Sequence, residues 1–228
     1  MGMGSMIDLQ GMVVKTLVAN DNARARSQQV AIGPSAIGGC QRRLWHDIAQ
    51  TAPTNVGDKL GAILGTYIHT GIEEAIRRED PFGVQYELEI AVEANGVPGH
   101  VDCYDKINHT VIDWKTIKKG SGRYFGGNNR QQVWQIHLYG YLLTQNGYIV
   151  KDVALVGIPR DGKMSDILVY TQPYDEEIAL QALAHLEKTK EMVALQLKPS
   201  PEKPLAFCAD FCPYYDPTGE EGCPSIQK

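Results

Sequence analysis

The stretch from Gly99 to Thr116, GHVDCYDKINHTVIDWKT, constrains the fold more than any other, because it reads as two strand arms around a turn and carries two acids and a lysine. Side chains alternate along a strand. Asp102 and Tyr104 therefore share one face of the first arm, with Val101, Cys103 and Ile107 on the other, and Asp113 and Lys115 share a face of the second arm opposite Ile112 and Trp114. A two-residue turn at Asn108-His109 pairs 107 with 110 and 102 with 115, which leaves Asp102 diagonal to Asp113 at about 7–8 Å. Carboxylates so placed can hold one hard cation between them. Phosphodiester hydrolysis needs a cation on the non-bridging oxygen, an activated water, and positive charge where the transition state becomes more negative. Asp102, Asp113 and Lys115 supply those parts; the structural alternative is a solvated hairpin with surface ion pairs.

A chain of 228 residues, 43% hydrophobic and 21% charged, suits one domain with a sizeable core. Five cysteines with neither a signal peptide nor a transmembrane run point to a reducing setting and a cytoplasmic protein, with no membrane partner. A net charge of −5 argues against a global basic field, so any grip on nucleic acid must be local.

Residues 1–30 form an N-terminal arm whose later part could be a first strand, and 31–228 form a single domain. Ser35 can cap a short helix before Cys40, Arg42, Arg43 and Trp45. From Gly57 to Arg78, apolar residues recur at helical spacing, which predicts a long helix packed on the sheet, with His69 and Glu73 one turn apart. Val84 to Val92 reads as a strand whose Glu87 and Glu89 are further, weaker ligand candidates. Lys115 to Arg130 contains Lys118, Lys119 and Arg123 with no acid, interleaved with glycines, Tyr124 and Phe125; such a loop can follow a phosphate backbone and stack bases. Gln131 to Thr144 predicts a helix with Gln135 and Tyr139 on one face. Val153 to Pro159 and Asp166 to Gln172 read as strands joined at Asp161-Gly162, and Tyr174 to Leu197 as a helix stopped by prolines. The irregular tail holds Cys208, Cys212 and Cys223, which with Cys40 make a candidate four-thiolate site; zinc and iron-sulfur clusters both accept one.

The order Cys40, His69, Gly99-His100-Val101-Asp102, Asp113-Trp114-Lys115-Thr116, Gln135-Ile136-His137-Leu138-Tyr139, then Cys208, Cys212 and Cys223 resembles the RecB-like branch of the PD-(D/E)XK nucleases. More narrowly, it is similar to the iron-sulfur CRISPR-associated RecB-type exonuclease and the AddB nuclease domain. The resemblance implies an α/β, restriction-endonuclease-like fold: a central mixed sheet flanked by helices, with a four-cysteine metal cluster stapling the two terminal segments. It implies a metal-dependent DNA exonuclease acting on single strands or strand ends, with Lys115, Asp102 and Asp113 catalytic. His69, Asp102, Asp113 and the carbonyl of Trp114 would ligate Mg or Mn. Cys40, Cys208, Cys212 and Cys223 would ligate a 4Fe-4S cluster, and Gln135 and Tyr139 would contact DNA, with CRISPR or recombination proteins as partners. The competing expectations are a non-cleaving nucleic-acid binding module and an endonuclease of the same fold.

Overall fold

The computed structural model describes residues 8–23, 31–203 and 205–226. Strand β1 (Tyr86–Ala94) turns back into β2 (Val97–Asp105), and β2 into β3 (Thr110–Ile117). Helix α5 (Arg130–Gln145) then crosses over to β4 (Asp152–Pro159), which pairs parallel with β3, and β5 (Leu168–Pro173) closes the far edge antiparallel. The sheet order is β1-β2-β3-β4-β5, so a helical crossover joins the antiparallel meander β1-β2-β3 to the antiparallel pair β4-β5 in one mixed sheet. This is the α/β architecture expected for a restriction-endonuclease-like domain.

Before the sheet come α1 (Leu9–Ala23), α2 (Pro34–Ile37), α3 (Gln41–Ala49) and α4 (Leu60–Glu79); after it come α6 (Glu176–Ala194) and α7 (Leu205–Phe211). The expected arm or first strand is thus a helix over 9–23, and it buries none of its residues. It is tied to α4 by polar contacts, Asn20 donating to the Tyr67 hydroxyl at 3.2 Å and Lys59 donating to Asn22 at 3.1 Å. The tail is also less irregular than its prolines suggest, because α7 carries Cys208.

The core lies between the sheet and α5, where Ile136, Leu138, Leu142 and Leu143 meet Val101, Val111, Val153 and Leu155, all buried. Ala179, Ala182 and Leu186 of α6 extend the same core. Truncating Leu138 or Leu142 to alanine should cost about 2–5 kcal/mol. Gly99 lets α5 approach β2, since a side chain there would meet Leu142 Cδ1 at 2.7 Å. Helix α4 packs more lightly than its apolar stripe predicts, burying only Ile63 and Gly65, while Leu60, Leu64 and Tyr67 stay exposed.

The β2–β3 connection differs from the expected two-residue turn. Pairing runs Asp105↔Thr110, Tyr104↔Val111 and Cys103↔Ile112, around a four-residue loop over 106–109. The Asp105 carboxylate causes the wider loop: Oδ1 accepts from the backbone of Ile107 and Asn108, each at 2.9 Å, and His109 takes a left-handed φ of 58°. The register moves by two residues rather than one, so the acids keep the same face.

Candidate active site

Past Cys103↔Ile112, a side chain takes over the bridge between β2 and β3: the Trp114 backbone N–H donates to Asp102 Oδ2 at 2.9 Å. This brings Asp102 and Asp113 to the same level of the sheet, and both are 1% exposed. Lys115, next along the same face of β3, reaches Asp113 Oδ2 at 2.6 Å. From α5, Gln135 donates to Asp113 Oδ1 at 3.0 Å and lies 3.3 Å from the Tyr139 hydroxyl.

The fourth group comes from α4. His69 Nδ1 stands 3.4 Å from Asp102 Oδ2. Helix α4 gets close enough because Gly65, one turn earlier, faces the Thr116 hydroxyl, which a side chain there would meet at 3.1 Å. Two more acids border the group. Glu73 follows His69 by one turn, and Glu89 lies between the paired positions Leu88↔Cys103 and Ile90↔Val101, opposite Asp102. Glu89 takes a left-handed φ of 54° within a strand, unusual for a residue with a side chain.

Electrostatics separate the acids. Burial pushes the Asp113 carboxyl above its ordinary range, and Asp102 adds to the shift while Lys115 opposes it. Burial acts on Asp102 in the same direction but is outweighed by the His69 contact and by Lys115, so that acid stays below its usual value. Burial alone would lower His69, yet bonding to Asp102 raises it overall. Glu73 is pushed up to about 7, first by burial and then by sharing a hydrogen bond with Glu89. Asp113 Oδ2 is buried with only the Lys115 ion contact and no aligned hydrogen bond. A strongly desolvated oxygen with lone pairs to spare, beside a second carboxylate and an imidazole, suits a small divalent cation.

A model of the PD-(D/E)XK nuclease superfamily matches residues 40–216, which takes in every one of these groups. The chain belongs to the PD-(D/E)XK nuclease superfamily. No curated protein matches it significantly. Among solved structures, an alkaline exonuclease, LHK-Exo, from Laribacter hongkongensis aligns with TM-score 0.53 at 9% identity, over 75% of this chain and 92% of that one. The protein SSO0001 aligns with TM-score 0.51 at 19% identity, over 86% and 89%. A phage-related exonuclease from Haemophilus somnus 129PT aligns with TM-score 0.47 at 13% identity, over 72% and 82%.

Elsewhere in the PD-(D/E)XK domain, Cys40, Cys208, Cys212 and Cys223 line one small cavity at the N-terminus of α3. The Cys208 thiol is raised to about 11, first by burial and then by the other three sulfurs. Among the described residues, no group of three or more His, Cys, Asp or Glu side chains is arranged to hold a metal ion. A metal held there would require the thiols to be deprotonated. The tail is also held by protein contacts. Arg42 donates to the carbonyls of Pro199 at 2.9 Å and Gly222 at 3.2 Å. The Tyr214 hydroxyl donates to Asp47 at 2.8 Å, and Asn55 donates to the Cys212 carbonyl at 3.0 Å.

The basic loop is less open than its sequence suggests. Phe125, expected as a stacking ring, is buried in the core, where its ring packs close to Gly157. Lys119 pairs with Asp166 at 3.1 Å, and Arg130 is spent on the Gly39 carbonyl and Glu202. Lys118, Arg123 and Tyr124 remain exposed, Arg123 lying 4.7 Å from the Tyr124 ring centre. Gln135 and Tyr139, expected against DNA, are buried beneath Asp113. Glu73 and Glu89 are the residues at the site that the acid-acid-lysine pattern leaves out. Their signals in the sequence are the one-turn spacing from His69 and the strand face of Glu89.

Among the described residues no helix is long and apolar enough to cross a membrane.

Proposed function

We propose that the chain is a divalent-metal-dependent deoxyribonuclease, an exonuclease acting on single strands or strand ends. The observation that carries the reading is the convergence of Asp102, Asp113, Lys115 and His69 at the point where β2 and β3 part, in a chain of the PD-(D/E)XK superfamily. His69, Asp102, Asp113 and the carbonyl of Trp114 would hold Mg or Mn, which would supply charge at the scissile phosphate and ease deprotonation of the attacking water. Lys115, freed from Asp113, turns its ammonium to the phosphate, where negative charge grows in the transition state. Gln135 holds Asp113 in the orientation the cation needs, as an outer partner does for a ligating carboxylate.

Exonuclease action is supported by the fold shared with LHK-Exo. The gathering of Cys40, Cys208, Cys212 and Cys223 around one cavity supports a structural 4Fe-4S cluster, and the RecB-like resemblance adds CRISPR or recombination proteins as partners. Lys118, Arg123 and Tyr124 form the outer bank of the strand path, with Lys119 held beside them by Asp166.

The test is cleavage of single strands labelled at either end, beside circular single-stranded DNA, with Mg or Mn. Stepwise loss of nucleotides from linear DNA with the circle left intact is expected, with Mn at least as effective as Mg because His69 softens the site. Cutting of the circle makes the enzyme an endonuclease.

A further inference from the structure

A cavity of about 650 Å³ opens at the start of α4, on the other side of Thr116 from the acids. Its wall includes Arg43, Lys59, Gly61, Thr116, Arg160 and Phe211. In a chain of net charge −5, three cations around one cavity are a local positive centre. The acid on that wall, Asp58, is turned to the helix start, where Oδ1 accepts from the Leu60 N–H at 2.7 Å. Arg43 is only loosely paired, 3.8 Å from Asp47, and Lys59 lies 3.7 Å from Asp21. Among the described residues no carboxylate pairs with the Arg160 guanidinium.

Helix α4 runs from the cavity toward the active site. Gly61, Gly65 and His69 follow one another at one-turn spacing on α4 and face, in order, Arg160, Thr116 and Asp102. From Gly61 to His69 the helix rises about 12 Å, a few nucleotides of a stacked strand at about 3.4 Å each. The opposite wall is the cysteine-bearing tail, held by the Asp58 N–H donating to the Asp210 carbonyl and the Thr54 N–H to the Pro213 carbonyl, each at 2.9 Å. Phe211, 50% exposed, lies on that wall, its ring 5.6 Å from the ring of Phe207. Cations for the backbone beside an aromatic face for a base are what a sequence-tolerant single-strand site requires.

We infer that this cavity is a phosphate-binding subsite for single-stranded DNA, in which Arg160 and Lys59 hold the backbone and Phe211 stacks a base a few nucleotides from the scissile bond. The inference rests on the nuclease reading and extends it, giving the cysteine-bearing tail a share in the substrate path. Arg160 is a positioning residue and does not touch the reacting phosphate.

The test is fluorescence anisotropy of a labelled oligo-dT strand of about ten nucleotides, bound without divalent cation so that nothing is cleaved, across a range of salt. Arg160→Ala should weaken binding about tenfold and lower the salt slope by about 0.7, while Arg160→Lys keeps the slope. Phe211→Ala should weaken binding with the slope unchanged. Parent-like affinity and slope in Arg160→Ala overturn the subsite and leave the nuclease reading standing; so does weaker binding with an unchanged slope, the mark of a purely structural role. Failure of the parent itself to bind the strand overturns the subsite, while the nuclease reading stands or falls on cleavage with Mg or Mn.

Discussion

Gln135 and Asp113 are joined by a hydrogen bond of 3.0 Å between two buried side chains, so the second acid of the hairpin is held by a helix that enters the chain more than a dozen residues later. A buried carboxylate anchored at one oxygen keeps the other directed. Gln135→Ala should raise the Mn concentration needed for half-maximal cleavage by about 10–100-fold, with strand binding in the absence of metal little changed. A metal titration of activity checks this, and an unchanged midpoint would show that Gln135 only fills space.

Cys40, Cys208, Cys212 and Cys223 share one cavity, whereas Cys103 is fully buried in β2, with its thiol pushed up to about 12 by burial. Protein prepared without oxygen should carry iron and acid-labile sulfide in equal amounts. Cys208→Ser should lose most of both, and Cys103→Ser should lose neither. Removing the metal should also lower the melting temperature, because ligand bonds tie α3 to the tail. One equivalent of zinc in place of iron would keep the four-thiolate site and discard the cluster.

His137, in the middle of α5, is buried and accepts from the Asp175 N–H at Nδ1, 3.1 Å away, which requires a neutral ring nitrogen. Burial holds its pKa below the ordinary 6.5, with Asp175 opposing. The unfolded chain therefore binds more protons than the folded one as pH falls through 6.5, and stability is lost in that direction. Melting temperatures measured from pH 7.5 downward should fall more steeply below about 6.5 in the parent than in His137→Gln. Parallel curves would remove His137 as the source.

Much of this arrangement is legible in the sequence for a definite reason. Alternation places Asp102 with Tyr104 and Asp113 with Lys115 on one face whatever the turn, because a register error of two residues preserves facing. The turn itself is decided by Asp105, whose carboxylate bonds the backbone of Ile107 and Asn108; such side-chain competition for backbone donors leaves no periodic trace. Phe125 is hidden for a related reason. In a glycine-rich loop no period says which way a ring turns, and the core beside Gly157 claims it. Glu89 comes opposite Asp102 through the unbroken β1–β2 register, but its left-handed φ of 54° is something a strand pattern does not announce. The basic loop reads from composition as the DNA grip, but Lys119 is drawn off by Asp166, a partner from beyond the next strand. Arg160 and Lys59, a hundred residues apart, meet only in the folded chain.

The most direct test of the account compares the parent with Asp113→Asn on end-labelled single-stranded DNA in saturating Mn. The substitution keeps the side chain's shape and its contact with Gln135 while removing the charge that a cation and Lys115 share. The parent should shorten the strand, and Asp113→Asn should do so at least about 100-fold more slowly while binding it as tightly. Metal-dependent cleavage by Asp113→Asn at the parent's rate would contradict the account.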